Sequence, residues 1–189
     1  MFMKLFFLVC IFSVSQGVFA AGKLTIEPYL GVGTFKQSET FSTTLGTDFD
    51  ASFDDSGTGI ALGARGGLLF GKTYWALDYH LGGPYEMELA KREYTNTLFG
   101  GGVGYFGNQY RAWIGYYGHA VVEDSNNSVK YQGIGIKIVA GFQFQSKLIL
   151  NIEYLLQDIK EKKFDTQDIP LGDISISVLY FTVSSPISF

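Results

Sequence analysis

The side chains able to do chemistry are few and unevenly placed. Two histidines, His80 and His119, and one cysteine, Cys10, stand among 18 acidic and 14 basic residues. A nucleophilic site of the Ser-His-acid kind needs a histidine within hydrogen-bond reach of a hydroxyl and a carboxylate. No His-x-Ser spacing occurs, since His80 is followed by Leu81-Gly82 and His119 by Ala120-Val121. Proximity in a sheet is not sequential, so His119 with Ser125 or Glu123 stays a candidate pair. Two inward-facing histidines capping a polar core is the plainer reading. Asp48, Asp50, Asp54 and Asp55, set among Phe41, Phe49 and Phe53, gather oxygens that suit a divalent cation and rings that suit a partner surface. The spacing lacks the glycine and final glutamate of a twelve-residue calcium loop, which leaves a solvated acidic loop as the simpler expectation. No Cys/His cluster offers zinc ligands. Gly100-Gly101-Gly102 and Gly104 do not stand between a strand and a helix, so they are small inward residues rather than a phosphate cradle. No cofactor or metal is expected, and a net charge of -4 gives no reason to expect nucleic acid as a partner.

A second set of charges is more regular. Glu27, Arg65, Asp78, Arg111, Lys137 and Glu153 are three acids and three bases, and each falls on the glycine-rich parity of an alternating segment. The opposite parity is apolar: Leu148, Leu150, Ile152, Tyr154 and Leu156 around Glu153, or Ile134, Ile136, Ile138, Ala140, Phe142 and Phe144 around Lys137. Alternation of this kind is the signature of a strand with two different faces. If Gly71-Lys72 is a two-residue turn, Arg65 falls directly opposite Asp78. A turn at Gly107-Asn108 puts Gly104 opposite Arg111, and Lys137 and Glu153 fall opposite or diagonal on neighbouring strands. A neutral, paired set is what a closed core demands, because an unpaired buried charge is strongly destabilising.

The elements that must position these charges follow from the rest of the chain. Residues 1–20 have a basic start, an apolar run and Val18-Phe19-Ala20 at the end, the pattern of a cleaved secretory signal. The mature stretch, 21–189, holds no cysteine, so no disulfide staples it. It contains no apolar run near the roughly 18–20 residues of a spanning helix, and instead shows eight alternating segments. Their connections alternate in length: Gly71-Lys72, Gly107-Asn108 and Gln145-Ser146-Lys147 are short, while 36–57, 82–93, 122–129 and 158–173 are long and polar. Short turns at one end and long loops at the other describe an all-β, eight-stranded antiparallel up-and-down transmembrane β-barrel. A soluble ligand-binding barrel would bury the apolar parity instead. The apolar parity carries no charge, and Phe70, Trp75, Tyr105, Tyr110, Phe144 and Phe189 form an aromatic girdle at its turn end, so lipid belongs outside.

The terminal run of Leu179, Phe181, Val183, Ile187 and Phe189 resembles the C-terminal sorting signal of bacterial outer-membrane proteins, with Ser185 where a more apolar residue is typical. The mature chain resembles small eight-stranded outer-membrane barrels of the OmpA-transmembrane and OmpX type. That resemblance implies the bacterial outer membrane as location, the barrel assembly machinery as a partner during insertion, and lipid and lipopolysaccharide as surroundings. No peptidoglycan-binding domain is expected after the last strand. An eight-stranded barrel is just wide enough for side chains to fill, so the leading expectation is a non-enzymatic structural or surface-interaction protein with a closed lumen. Its loops would meet any extracellular partner, and Lys160, Lys162 and Lys163 would favour lipopolysaccharide phosphates. The alternatives are a narrow porin-like channel for small solutes and, third, a lipid A-modifying enzyme.

Overall fold

The computed structural model describes residues 22–41, 51–89, 91–126, 129–145, 147–164 and 167–189, and within its strands leaves aside the side chains of residues 39–41, 51–53, 162–164 and 167–173. The expected signal segment, Asp48 and Asp50 lie outside the described residues. Eight long strands run in chain order: β1 (Lys23–Phe41), β2 (Ala51–Phe70), β3 (Thr73–Met87), β4 (Glu93–Phe106), β5 (Tyr110–Asp124), β6 (Val129–Gln145), β7 (Leu148–Phe164) and β8 (Gln167–Ser184). A two-residue β9 (Ile187–Ser188) follows. Every neighbour pairs antiparallel, and β1 pairs with both β2 and β8, which closes the sheet into an up-and-down barrel. β9 resumes the pairing of β8 on β1 in unchanged register, Tyr29 facing Ser184 and Thr25 facing Ser188. The break falls at Ser185-Pro186, where proline has no N–H to give the ladder.

The strands are longer than the alternation of apolar-out residues predicts. In the stretches 36–57, 82–93, 122–129 and 158–173, expected as long loops, most of the described residues are strand, and β1 remains paired with β2 as far as Phe41 and Ala51. The reason is an inversion of the pattern. Along β6 the inward residues run Val129, Tyr131, Gly133, Gly135, Lys137, Val139 and Gly141, and the outward ones Lys130, Gln132, Ile134, Ile136, Ile138, Ala140, Phe142 and Phe144. Near the turn end the outside is apolar and the inside polar or small. Near the loop end the inside is apolar and the outside polar. The apolar outer band is about 25 Å high and the β1 extension above it roughly 15–20 Å, at about 3.3 Å rise per residue and about 40° tilt.

Among the register shifts, one on β3 and one on β5 re-aim side chains that reach the lumen. β3 shifts register between Gly82 and Tyr85, and β5 between Tyr117 and Ala120. Each irregularity exchanges the faces of the residues beyond it. Tyr85 and Met87 thereby turn inward on β3, and Ala120 and Val122 on β5.

Candidate functional site

The lumen of the lower barrel is crossed by charge. Arg65 on β2 lies opposite Asp78 on β3, as the two-residue turn requires, with Nε 3.5 Å from Asp78 Oδ2. Its Nη2 reaches across to Glu153 Oε1 on β7 at 2.8 Å, and its Nη1 lies 3.8 Å from Glu27 Oε1 on β1. Lys137 on β6 answers from the other side, 2.7 Å from Asp78 Oδ2 and 3.2 Å from Glu153 Oε2. Its diagonal relation to Glu153 follows from the register, which pairs Val139 with Glu153. Arg65, Asp78, Lys137 and Glu153 are all buried. Arg111 is the outlier: it sits nearer the turn end, 4.0 Å from Glu27 Oε1, with Nη2 donating to Gln143 Oε1 at 3.5 Å and its guanidinium 4.0 Å above the Phe106 ring.

Neutral groups complete the network. Tyr29 donates its phenol proton to Asp78 Oδ1 at 2.8 Å and accepts from Lys137 Nζ at 3.3 Å. Its oxygen also lies 3.0 Å from His80 Nδ1. With the phenol proton committed to Asp78, that contact requires the proton on His80 Nδ1, which makes Nε2 the bare acceptor. Lys137 donates to Tyr29 and faces Asp78 and Glu153 as ion-pair partners, the contact to Glu153 Oε2 being electrostatic without hydrogen-bond geometry. Tyr117 donates to Asp78 Oδ2, Thr182 to Glu153 Oε1 at 2.7 Å, and Ser184 to Glu27 Oε1. Asn151 ties Thr182 and Ser184 together at 3.2 and 3.0 Å. Hydrogen bonds and ion pairs together make the buried charges tolerable. Arg65 Nε and Nη2 and Glu153 Oε2 are met by ion pairs alone, and His80 Nε2 makes no hydrogen bond among the described residues.

Trp113 fills the remaining lower volume. A Cβ at Gly102 would lie 2.6 Å from Trp113 Cζ2, and one at Gly115 would lie 2.0 Å from Cη2. These glycines make room for an indole ring, the role expected of small inward residues. The expected Gly104–Arg111 pairing is corrected: Gly104 faces Trp113 and Arg111 faces Phe106. Gly107 N–H bonds the Tyr110 carbonyl at 2.9 Å, so the turn is Asn108-Gln109, one residue later than the sequence pattern places it. A cavity of about 10 Å³ remains among Glu27, Arg65, Arg111, Trp113 and Asn151, room for about one water molecule.

Above the charges lies a polar pair and then an apolar cap. Asn96 and Gln157 exchange two amide hydrogen bonds, at 3.2 and 3.0 Å, and Tyr85 donates to Tyr180 at 2.9 Å. Phe35 stacks with Tyr85 and Tyr94 at centroid separations of 5.0 and 5.9 Å. Met87, Val122, Val129, Tyr131, Ile159 and Ile174 join the same core. Sequence reasoning missed this cap, although inward Phe35, Tyr131 and Ile159 keep the parity of the charged residues below them.

The other candidates are dispersed. His80 is buried and inward, but His119 is exposed on the outside, a correction of its expected inward face. The extra residue in β5 turns it out, opposite Phe99 of β4. Glu123, its suggested partner, is instead paired with Lys130 at 3.3 Å. Asp54 is exposed, whereas the neighbouring Asp55 is buried and accepts the N–H groups of Ser56 at 2.8 Å and Leu89 at 3.1 Å. The two carboxylates point to opposite faces of β2. Among the described residues no cluster of three His, Cys, Asp or Glu side chains could hold a metal. Lys160 is paired with Asp158, and the side chains of Lys162 and Lys163 lie outside the described residues. Leu179, Phe181, Val183, Ile187 and Phe189 are all exposed on the outer face.

No protein-family model and no curated protein sequence matches the chain. Solved structures do. Neisserial surface protein A (NspA) matches with a TM-score of 0.51 and 14% identity over 85% of this chain and 96% of its own. Ail, the attachment invasion locus protein of Yersinia pestis, solved in complex with the heparin analogue sucrose octasulfate, matches with a TM-score of 0.54 and 11% identity over 88% of this chain and 99% of its own. The fold is that of small bacterial outer-membrane β-barrels. At these identities the likeness concerns the fold alone.

Proposed function

We propose that the protein is a non-enzymatic outer-membrane barrel, delivered by a cleaved signal, whose lumen is sealed and whose work is done at the loop end. The observation that carries this reading is the pair of seals in series: the ion-pair cross of Arg65, Asp78, Lys137 and Glu153, and the apolar cap around Phe35. A solute path would have to break both. The exposed Leu179, Phe181, Val183, Ile187 and Phe189 fit a sorting signal offered to the barrel assembly machinery, and the apolar band fits membrane lipid. His119 lies on the outward face, the side on which a lipid-modifying site would have to work, but Glu123, its suggested acid partner, is paired with Lys130, and this supports the non-enzymatic reading.

The charge balance of the loop-side sequence supports a reading of its partner's sign. The stretches 36–57, 82–93, 122–130 and 158–173 together hold fifteen acids and seven bases. Ail was captured with a polyanion, but this balance repels one and favours a cationic extracellular partner. Conductance in planar bilayers tests the sealed lumen. The wild type is expected to stay silent, Arg65→Ala to stay largely silent behind the intact cap, and Arg65→Ala with Phe35→Ala to leak. Steady wild-type openings would replace the sealed barrel by a porin-like channel.

A further inference from the structure

The turn end of the barrel carries a feature that the sealed lumen does not use. The eighteen acids of the chain are Glu27, Asp78 and Glu153 in the lumen and fifteen in the loop-side stretches. The turn-end segments 22–26, 69–76, 103–112, 141–150 and 183–189 contain no Asp or Glu at all. They do contain three exposed lysines, Lys23, Lys72 and Lys147, besides the lumen-directed Arg111. Between these lysines stands a belt of outward aromatic residues: Phe70, Tyr105, Tyr110, Phe142, Phe144 and Phe189 are all exposed. Lys72 Nζ lies 5.9 Å from the Tyr105 ring centre, and the Tyr110 and Phe142 rings pack 5.6 Å apart.

Aromatic side chains of this kind settle at the headgroup level of a bilayer. Long lysine stems lie along apolar surface while the ammonium group reaches the polar layer. The three cations are also spread around the rim: Lys23 begins β1, Lys72 turns β2 into β3, and Lys147 precedes β7 across the barrel. A single docked macromolecule would want a patch on one side. Cations set apart around a ring of headgroup-level aromatics suit separate lipids.

We propose that the turn end is a collar for anionic phospholipid headgroups, in which Lys23, Lys72 and Lys147 each hold the charge of one lipid beside the aromatic belt. The proposal rests on the reading that the strands cross a bilayer. Because each lysine meets its own lipid, the expected preference is that of one cation near a membrane surface, about fivefold over a zwitterionic lipid.

Trp75 supplies the reporter. It is half-buried on the outer face near the turn end, whereas Trp113 is buried in the lumen. The full barrel is refolded into phosphatidylcholine vesicles containing either dibrominated phosphatidylglycerol or dibrominated phosphatidylcholine at equal mole fraction, and quenching of tryptophan fluorescence is compared. The wild type is expected to be quenched more by the anionic lipid, with a relative association constant of about five that falls toward one at about 1 M salt, where the screening length is about 3 Å. A triple variant, Lys23→Gln with Lys72→Gln and Lys147→Gln, should lose the preference, and the same three positions changed to Arg should keep it, with circular dichroism confirming the folded barrel in each. Equal quenching of the wild type by both lipids overturns the collar, as does a preference that survives in the Gln variant. Absence of quenching by either lipid overturns the membrane-spanning reading and the collar with it.

Discussion

The lower and upper halves of the barrel are built from the same strands with opposite chemistry. In the lower half β7 turns Asn151 and Glu153 inward and Leu150, Ile152 and Tyr154 outward, and in the upper half it turns Ile159 inward and Asp158 and Lys160 outward. No change of backbone accompanies the exchange on β1 or β6. The solvent decides it. Where hydrocarbon surrounds the barrel, apolar side chains gain nothing by hiding, and the lumen is held by ion pairs and hydrogen bonds. Where water surrounds it, the hydrophobic effect operates again and fills the lumen with Phe35, Tyr85, Tyr94 and Tyr131. One cylinder therefore joins a membrane barrel to a water-exposed barrel, each with the core its solvent demands.

Substitutions at matched positions can break this contrast. The largest effect is expected from Arg65→Ala in the lower lumen. Removing the cation shared by Asp78, Glu153 and Glu27 should destabilise the barrel by about 3–5 kcal/mol, measured by urea unfolding in lipid vesicles. A loss below about 1 kcal/mol would mean that Lys137 alone holds the carboxylates. Next comes Ile138→Arg, which places a charge on the lipid face of β6 and should be destabilising by about 2–4 kcal/mol. A neutral result would show that the apolar band is not in hydrocarbon. Smaller again is Phe35→Leu in the cap, where lost ring stacking and area should amount to about 1–2 kcal/mol. Its sign of success is faster proteolysis of the upper hairpins with the lower barrel still protected. The smallest effect belongs to Lys130→Ile, on the same face of β6 as Ile138 but in the upper half. Loss of its exposed pair with Glu123 should change stability by less than about 1 kcal/mol, and a large stabilisation in vesicles would place this level inside the membrane.

These pairs also show what the sequence could and could not reveal. The strand number and antiparallel order were legible because the apolar-out alternation is strict at lipid depth. The Arg65–Asp78 opposition was legible because a two-residue turn determines the whole register of a hairpin. The upper half was not, since its outward positions carry Lys36, Asp158 and Lys160 in place of apolar residues. An inverted strand resembles a polar loop unless the inward parity is followed through from Lys137 to Tyr131 and Val129. His119 was misplaced for a different reason. A bulge adds one residue without any marker in the alternation nearby, and Gly118-His119 gives no hint of which strand will carry it. The Arg111 register failed on one residue of turn position, a slip that moves each partner by two.

The ion-pair cross has a mechanical side as well. A thin-walled tube under the lateral pressure of a bilayer tends to ovalise, and eight strands joined only to their neighbours resist that by bending alone. The contacts from Arg65 to Glu153 and from Lys137 to Asp78 join walls on different sides of the tube. They act as tie-rods that hold the cross-section near circular. The outer contour presented to lipid is thereby set from within, by four buried side chains that never touch the membrane.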